Sequence, residues 1–351
     1  MSALTDILRR RIETDGPISL ADFMGQALGH PQHGYYITRD PLGRAGDFVT
    51  APEISQMFGE IIGLWCAVVW QSMGQPNPVI LAEMGPGRGT LMADLLRAAT
   101  MVPDFRAAIR VHLVETSPAL RARQAHTLGA LGVSPVWHDA PADLPAGPMI
   151  LVANEFFDAL PIRQYIRRED GWRERLVGLD GETFAFVDGP VAEIDAPPAE
   201  IGQHFEINPA AQAIAAQLGA RLAEQGGAAL IIDYGYDRSA VGDTLQAVRN
   251  HTFAPPLDDP GQADITAHVD FQALSQAFRP AAALPVVPQG AFLRALGIEL
   301  RAARLMKSGA DKSEDISKAC RRLIDPSEMG TLFKVLAVTD PKLPPPPGIP
   351  Q

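Results

Sequence analysis

Three alternate glycines, Gly85, Gly87 and Gly89, connect an apolar run to a helix-compatible stretch. The run Val79–Met84 is typical of a strand covered on both faces of a parallel sheet, and residues 91–96 continue with helical spacing. Glycines at such a turn allow backbone angles and a close ligand approach that a Cβ atom would prevent. The order G-x-G-x-G followed by threonine departs from the G-x-G-x-x-G/A spacing of dinucleotide sites. The segment predicts a nucleotide-cofactor site, and an ordinary glycine-rich turn is the alternative.

An acidic residue, Glu83, stands two positions before the first of these glycines. At the carboxyl end of the strand its charge would face the cofactor cleft, where it would repel a diphosphate and attract an ammonium or sulfonium group. S-adenosylmethionine carries both of these cations. We therefore expect S-adenosylmethionine as the cofactor, with a solvated Glu83 as the alternative. An NAD-dependent oxidoreductase on the same architecture stays open as a rival enzyme class.

Two further carboxylates follow predicted strands. Glu115 ends the run 111–115, where a doubly wound fold places the acceptor for ribose hydroxyls. A helix cap or a solvated side chain is the other interpretation of Glu115. Asp139 follows the weaker run 134–137 and is placed to meet the adenine amino group, although the residues around it also form an ordinary turn sequence.

Polar side chains cluster where the fourth strand ends. Asn154, Glu155 and Asp158 stand among Phe156 and Phe157. Carboxylates beside aromatic rings suit a bound cation, because the carboxylates compensate its charge and the rings attract it. Asn154 is predicted to contact the cofactor, and Glu155 and Asp158 to act in catalysis. The alternative is that Glu155 caps a helix and the phenylalanines belong to the core.

A loop at 43–53 carries two glycines, a hydroxyl group and Asp47, a composition found in lids and binding loops as well as in surface linkers. We include Asp47 among the candidate catalytic residues. His30 and His33 have no acidic or cysteine partner at a spacing that fits a metal, so no metal site is expected.

The elements that must position these residues follow from the alternation of apolar runs with helical stretches. Strand-like runs at 79–84, 111–115, 134–137, 149–154, 228–233 and 333–338 predict an α/β fold with a doubly wound, Rossmann-like parallel sheet. Residues 1–78 are predicted to form an N-terminal helical cap with a lid loop, and residues 79–340 the core. The long interval 160–225 is predicted to hold an inserted subdomain with a hairpin at Asp180-Gly181 and a helix at 209–225.

Composition limits the partners. The 351 residues carry a formal charge of -11, which argues against a broad nucleic-acid surface. Cys66 and Cys320 lie too far apart in sequence to indicate a disulfide framework or a zinc cluster. Neither a secretion signal nor a run long enough to cross a bilayer is evident. Small molecules or proteins are the expected partners. The Pro-rich tail 341–351 is expected to be extended and mobile, with little capacity to pack.

These pieces together resemble the MidA family of class I S-adenosylmethionine-dependent methyltransferases, the family of the mitochondrial complex I assembly factor that methylates an arginine. The two most specific motifs are Gly-Asp-Phe-Val-Thr-Ala-Pro-Glu at 46–53 and Asn-Glu-Phe-Phe-Asp-Ala-Leu-Pro at 154–161. The resemblance extends over nearly the whole chain, through further motifs at 33–36, 58–60, 83–89, 114–118, 206–209, 232–235, 264–271 and 329–335.

The resemblance implies transfer of a methyl group to an arginine of a protein, with a respiratory complex I subunit as the substrate. It assigns Glu83, Gly85, Gly87 and Glu115 to the cofactor, and Asp47 and Glu155 to the closed site. The expected location is the cytoplasm, or the mitochondrial matrix in a eukaryote. A non-catalytic assembly protein that kept the methyltransferase scaffold, docking through the insertion, is the remaining alternative.

Overall fold

The computed structural model describes residues 2–38, 50–249, 251–308 and 312–350. The chain forms two compact units, each assembled from three segments. Unit 1 comprises Met1–Phe48, Asp158–Ala213 and Arg238–His268, and unit 2 comprises Val49–Phe157, Ile214–Asp237 and Val269–Gln351. The domain boundaries expected after residues 78 and 340 stay predictions.

Helices and strands alternate through much of the described chain. The helices are α1 Ala3–Asp15, α2 Leu20–Gly29, α3 Tyr35–Thr38, α4 Ala51–Ile54, α5 Gln56–Ser72, α6 Thr90–Ala99, α7 Pro103–Ala108, α8 Pro118–Gly129, α9 Pro209–Gln225, α10 Phe271–Ala277, α11 Gln289–Ala295, α12 Ile298–Ser308, α13 Ser313–Ile324 and α14 Met329–Leu332. The strands are β1 Ile18–Ser19, β2 Val79–Met84, β3 Ile109–Val114, β4 Val136–His138, β5 Met149–Asn154, β6 Arg163–Arg168, β7 Gly171–Asp180, β8 Thr183–Ala192, β9 His204–Ile207, β10 Gly227–Tyr236, β11 Gln246–Arg249, β12 Thr252–Ala254, β13 Asp264–Thr266, β14 Val269–Asp270, β15 Ala282–Ala283, β16 Val287–Pro288 and β17 Phe333–Thr339.

The central sheet of unit 2 has the order β4-β3-β2-β5-β10-β17-β15. The strands from β4 to β10 are parallel, and β2 and β5 are buried along their whole length, as apolar strands covered on both faces should be. The predicted α/β sheet is confirmed, with one correction. Strand β17 pairs with β10 in the antiparallel direction, so the sheet is not parallel throughout.

The sheet is covered in unit 2 by an apolar core to which helices α5 and α6 contribute. Gly63 allows these two helices to approach closely, because a Cβ at this position would lie 2.7 Å from the Leu95 carbonyl oxygen. The close packing fixes α6, which begins directly after the three glycines.

Unit 1 contains a second sheet in the order β1-β7-β6-β9, with β8 paired to β7, and a small sheet of β12, β11 and β13. The predicted hairpin is confirmed: β7 and β8 pair on either side of a turn in which Gly181 has a φ of 60°. The predicted helix at 209–225 is confirmed as α9. An apolar core of its own, which includes Phe23, Tyr35 and Val177, holds unit 1 together.

The Pro-rich tail was expected to pack little, and this expectation is wrong. Ile349 is only 7% exposed and belongs to the core of unit 2. The Trp65 indole N–H donates to the Pro347 carbonyl oxygen at 3.2 Å. Buried residues of the tail and a carbonyl acceptor therefore attach a segment whose prolines lack N–H donors. Within the described residues, no helix combines the length and apolar character needed to cross a bilayer.

Candidate active site

The three glycines form a tight turn between β2 and α6. Gly85, Gly87 and Gly89 have φ values of 62°, 51° and 78°, in the left-handed region that favours glycine. At Gly85 a side chain would also be obstructed, because a Cβ would lie 3.1 Å from the Phe156 ring. The Gly85 N–H donates to the Val114 carbonyl oxygen at 3.1 Å, which ties the turn to the end of β3. The turn therefore presents bare backbone at the carboxyl edge of the sheet.

Glu83 occupies the penultimate position of β2 and is 3% exposed. Its carboxyl group accepts a hydrogen bond from the Met92 N–H, while its Oε2 has no partner among the described residues. Burial raises the pKa of Glu83 to about 8. A solvated Glu83 is thus excluded, and a buried acceptor oxygen is left open to a donor outside the chain.

Asn154 ends the neighbouring strand β5, whose Ala153 is opposite Met84 of β2. Its side chain is 8% exposed, and its Nδ2 donates to Oε1 of Glu155 at 3.1 Å. In the part of the chain described, Asn154 Oδ1 has no hydrogen-bond partner. Two adjacent strands therefore each bring one buried, open oxygen to the same edge of the sheet.

Glu155 has a φ of 51°, an uncommon left-handed conformation for a residue with a side chain. Such a conformation costs about 1–3 kcal/mol and persists where the surroundings fix it. Here the Glu155 N–H donates to the Ile232 carbonyl at 2.9 Å, and its Oε1 accepts from the Ala51 N–H at 3.2 Å. Ala51 is the first residue of α4, so the Glu155 carboxylate caps the start of that helix, as the alternative interpretation expected. The carboxylate is at the same time held in one orientation.

Glu115 follows β3 and is 8% exposed, which excludes the solvated alternative. Its Oε1 accepts from the Ser117 N–H at 2.8 Å, and its Oε2 accepts from Gln124 Nε2 at 3.1 Å. Burial raises the pKa of Glu115 above its usual range, against the lowering effect of these donors. The Thr116 N–H also interacts with this carboxylate, and because each carboxylate oxygen has two acceptor sites, the group keeps room for a further donor.

Asp139 lies in the turn after β4, and its side chain is 81% exposed. It forms an ion pair with Arg121, 2.7 Å from carboxylate to guanidinium, and Arg121 also donates to the Glu115 carbonyl oxygen through Nε at 2.7 Å. Arg121 therefore connects the Asp139 turn to the end of β3. The adenine role of Asp139 stays a prediction.

Asp158 belongs to unit 1, where it is 6% exposed and its carbonyl oxygen accepts from the Ala267 N–H at 3.0 Å. Tyr36 in the same unit donates through its hydroxyl to Asp264 Oδ1 at 2.8 Å. Burial raises the pKa of Tyr36 well above its usual value, and the Asp264 and Asp158 carboxylates add to the effect. Asp47 lies outside the described residues.

Sequence reasoning assigned no role to two residues that contact this site in unit 2. Glu53 of α4 accepts a hydrogen bond of 2.5 Å from the hydroxyl of Thr90, which is the first residue of α6. Gln124 of α8 donates to Glu115 and to the Gly87 carbonyl oxygen, the latter at 2.7 Å. A signal for Gln124 was available, because it is a polar residue at the helical spacing of the buried Leu120 and Leu128.

Comparison with known proteins agrees with the geometry. Residues 61–287 match the family model described as "Putative S-adenosyl-L-methionine-dependent methyltransferase". The protein arginine methyltransferase NDUFAF7, mitochondrial, of Danio rerio is 37% identical over 361 residues, covering 94% of this chain and 85% of the relative. The protein of the same name in Homo sapiens is 36% identical, covering 95% of this chain and 83% of the relative.

A crystal structure from Burkholderia thailandensis, described as a "likely methyl transferase" bound to S-adenosyl-homocysteine, superposes with a TM-score of 0.85. It shares 32% sequence identity, and the match covers 99% of this chain and 93% of the other. The NAD-dependent alternative is left without support. The chain belongs to this family of S-adenosyl-L-methionine-dependent methyltransferases, and S-adenosyl-L-methionine is its cofactor.

Proposed function

We propose that this protein methylates an arginine side chain of a protein substrate. The observation that carries the proposal is the fixed Glu155 carboxylate at the end of β5, one residue beyond the open oxygen of Asn154. The names of the relatives support the same substrate class, since those from Danio rerio and Homo sapiens are called protein arginine methyltransferases.

The residues of unit 2 fit the cofactor. When bound, S-adenosyl-L-methionine supplies a methyl group activated by a sulfonium for in-line displacement. Glu83 and Asn154 each offer a buried oxygen that lacks a donor in the described chain, as an ammonium or sulfonium group requires. Glu115 is proposed to accept the ribose hydroxyls and Asp139 the adenine amino group. The turn at Gly85, Gly87 and Gly89 gives the cofactor access to backbone.

An arginine substrate explains why a fixed carboxylate is needed. The guanidinium is protonated at neutral pH, and its charge is spread over the nitrogens that must attack. A carboxylate that accepts hydrogen bonds from the guanidinium N–H groups concentrates electron density on the attacking nitrogen, which gives up one proton as its bond to the methyl group forms and the C–S bond of the sulfonium breaks. Because Glu155 is already oriented by the Ala51 and Asn154 donors, little reorganisation accompanies the reaction. Asp158 and Asp47 stay proposed as further carboxylates for the same substrate.

The substrate protein is proposed, from the resemblance, to be a respiratory complex I subunit that is methylated before assembly. The cytoplasm is the proposed location in a bacterium, and the relatives from Danio rerio and Homo sapiens are mitochondrial by name.

The test uses purified protein, isotopically labelled S-adenosylmethionine and a cell lysate from a strain that lacks this chain. Labelled methylarginine in one or a few proteins is the expected result, read by mass spectrometry of peptides. Glu155→Gln should abolish the label while keeping the affinity for S-adenosylhomocysteine within about twofold. Glu60→Gln is the matched control, because Glu60 is a partly buried carboxylate of the same unit that pairs with Arg301. Label on lysine or on small molecules alone would contradict the proposal, and an active Glu155→Gln would remove the role of Glu155.

A further inference from the structure

Gln124 is a fully buried side-chain amide on α8, with no measurable exposure. It stands between Leu120 and Leu128 on the buried face of the helix, where an apolar residue would be expected. Burying an amide in such a place is unfavourable unless its polar atoms find partners. The presence of glutamine here therefore needs a reason beyond packing.

All polar atoms of this amide have partners on three different elements. Its Nε2 donates to the Gly87 carbonyl oxygen at 2.7 Å and to Glu115 Oε2 at 3.1 Å. Its Oε1 accepts from the Trp137 indole N–H at 2.8 Å. The indole nitrogen is only a donor, and the Gly87 carbonyl and the Glu115 carboxylate are acceptors, so the amide fits in one orientation alone. Gln124 thus holds the glycine turn, the end of β3 and β4 at fixed distances from one another.

The hydrogen bond from Gln124 restricts the orientation of the Glu115 carboxylate. The Ser117 N–H holds one of its oxygens and Gln124 holds the other, so the carboxylate cannot rotate and its remaining acceptor sites point in set directions. A ribose presents two hydroxyls on adjacent carbons, which need acceptors at a matching separation. Two donors that fix the carboxylate plane supply that match before the ligand arrives.

We infer that Gln124 is the positioning residue of the ribose subsite: it orients Glu115 toward the ribose hydroxyls and fixes the glycine turn beside it. The inference rests on the proposed role of Glu115 in the cofactor site. Gln124 itself does not touch the ligand in this scheme, so its effect must pass through the geometry of the Glu115 carboxylate.

The experiment compares two ligands by calorimetry, S-adenosylhomocysteine and its 2′,3′-dideoxy analogue, with the full chain and its variants. The wild-type protein should bind the dideoxy analogue about tenfold or more weakly, since hydrogen bonds to a charged acceptor are lost. Gln124→Met keeps the volume of the side chain and removes its hydrogen bonds. We expect this variant to bind S-adenosylhomocysteine about tenfold more weakly and to distinguish the two ligands by about twofold or less.

Leu128→Val is the matched control, because it weakens the packing of the same helix without touching the site. Its ligand ratio should equal that of the wild type, which separates positioning from a general loss of stability. If Gln124→Met does not fold, Gln124→Leu serves instead: it likewise has no N–H to donate to Glu115 and Gly87, and the same loss of discrimination is expected.

A wild-type protein that does not distinguish the ligands would overturn the ribose role of Glu115 and this inference with it. Wild-type discrimination that Gln124→Met or Gln124→Leu retains in full would overturn the role of Gln124 alone and leave Glu115 in place. The same ratio change in Leu128→Val would also overturn it, because the effect would then be a property of helix stability.

Discussion

The buried Glu83 carboxyl group should make cofactor binding depend on pH. Burial raises its pKa to about 8, so at pH 7 the neutral acid predominates. A ligand with an ammonium group favours the carboxylate, and binding should therefore release a proton. The affinity for S-adenosylhomocysteine should rise by close to tenfold per pH unit below about pH 7, rise more slowly toward pH 8, and level off above it.

Glu83→Gln isolates this effect. The amino group of the ligand titrates with both proteins, so the difference between them reports on Glu83. Between pH 6 and 7, the slope of log affinity against pH should be steeper in the wild type by about one, and calorimetry in this range should show up to about one more proton released per ligand. Above pH 8.5 the variant should bind at least about tenfold more weakly, because it lacks the charge. Equal slopes and equal proton release in the two proteins would refute the reasoning.

Ionisation of Glu83 should lower the stability of the ligand-free protein as the pH rises, whereas it raises the affinity for the ligand. Its pKa in the folded chain lies above the ordinary value of 4.5, so the stability that it contributes is present at pH 4.5 and is lost as the pH rises through about 8. Without ligand, Glu83→Gln should melt near the wild-type temperature at pH 4.5 and above it at pH 8. A wild-type chain that gains stability relative to the variant over this range would contradict the burial of Glu83.

Three other changes test the surroundings of the site. Gly85→Val places a side chain at a φ of 62° and 3.1 Å from the Phe156 ring, so calorimetry should find at least about tenfold weaker binding of S-adenosylhomocysteine; Gly129→Ala, where a Cβ meets nothing within 4 Å, is the control. His112 and His138 share a hydrogen bond of 2.9 Å, and burial lowers the pKa of each. The free energy of unfolding should therefore fall as the pH drops below about 6.5. His112→Gln should reduce this acid sensitivity in urea titrations, whereas replacing the exposed His126 should not. Ile349→Ala should lower the free energy of unfolding by about 2 kcal/mol or more, and a change below about 0.5 kcal/mol would mean that the tail does not contribute to the core.

The central strands could be predicted because their residue types leave little choice. Val79–Met84 and Met149–Asn154 appear in the structure with the predicted bounds, since an apolar run of six residues between turn formers is short for a helix and suits a strand buried on both faces. The direction of β17 could not be predicted in the same way. An apolar run looks alike in either direction, and the side from which the preceding chain enters the sheet decides the pairing.

Charged residues were easier to propose for the site from the sequence than neutral ones. Glu83 and Glu115 are acids directly at strand ends, a pattern that sequence displays. The amide of Gln124 becomes visible as a site residue only when the Gly87 carbonyl, Glu115 and Trp137 are brought around it, and these contacts link residues that are 37, 9 and 13 positions apart. The prediction for the Pro-rich tail was wrong for a related reason, because composition does not reveal that the Trp65 indole donates a hydrogen bond to the Pro347 carbonyl.

Because the segments of the two units alternate along the chain, they also determine the order in which each unit can be completed during synthesis. The chain passes from one unit to the other at 48/49, 157/158, 213/214, 237/238 and 268/269, so no single cut separates them and no contiguous gene fragment encodes either one. Strand β17, which borders β10 along seven residue pairs, is synthesised after every other strand of the described residues. Until then the edge of β10 stays without its neighbour, so a nascent protein stalled before residue 333 should be a preferred client of chaperones.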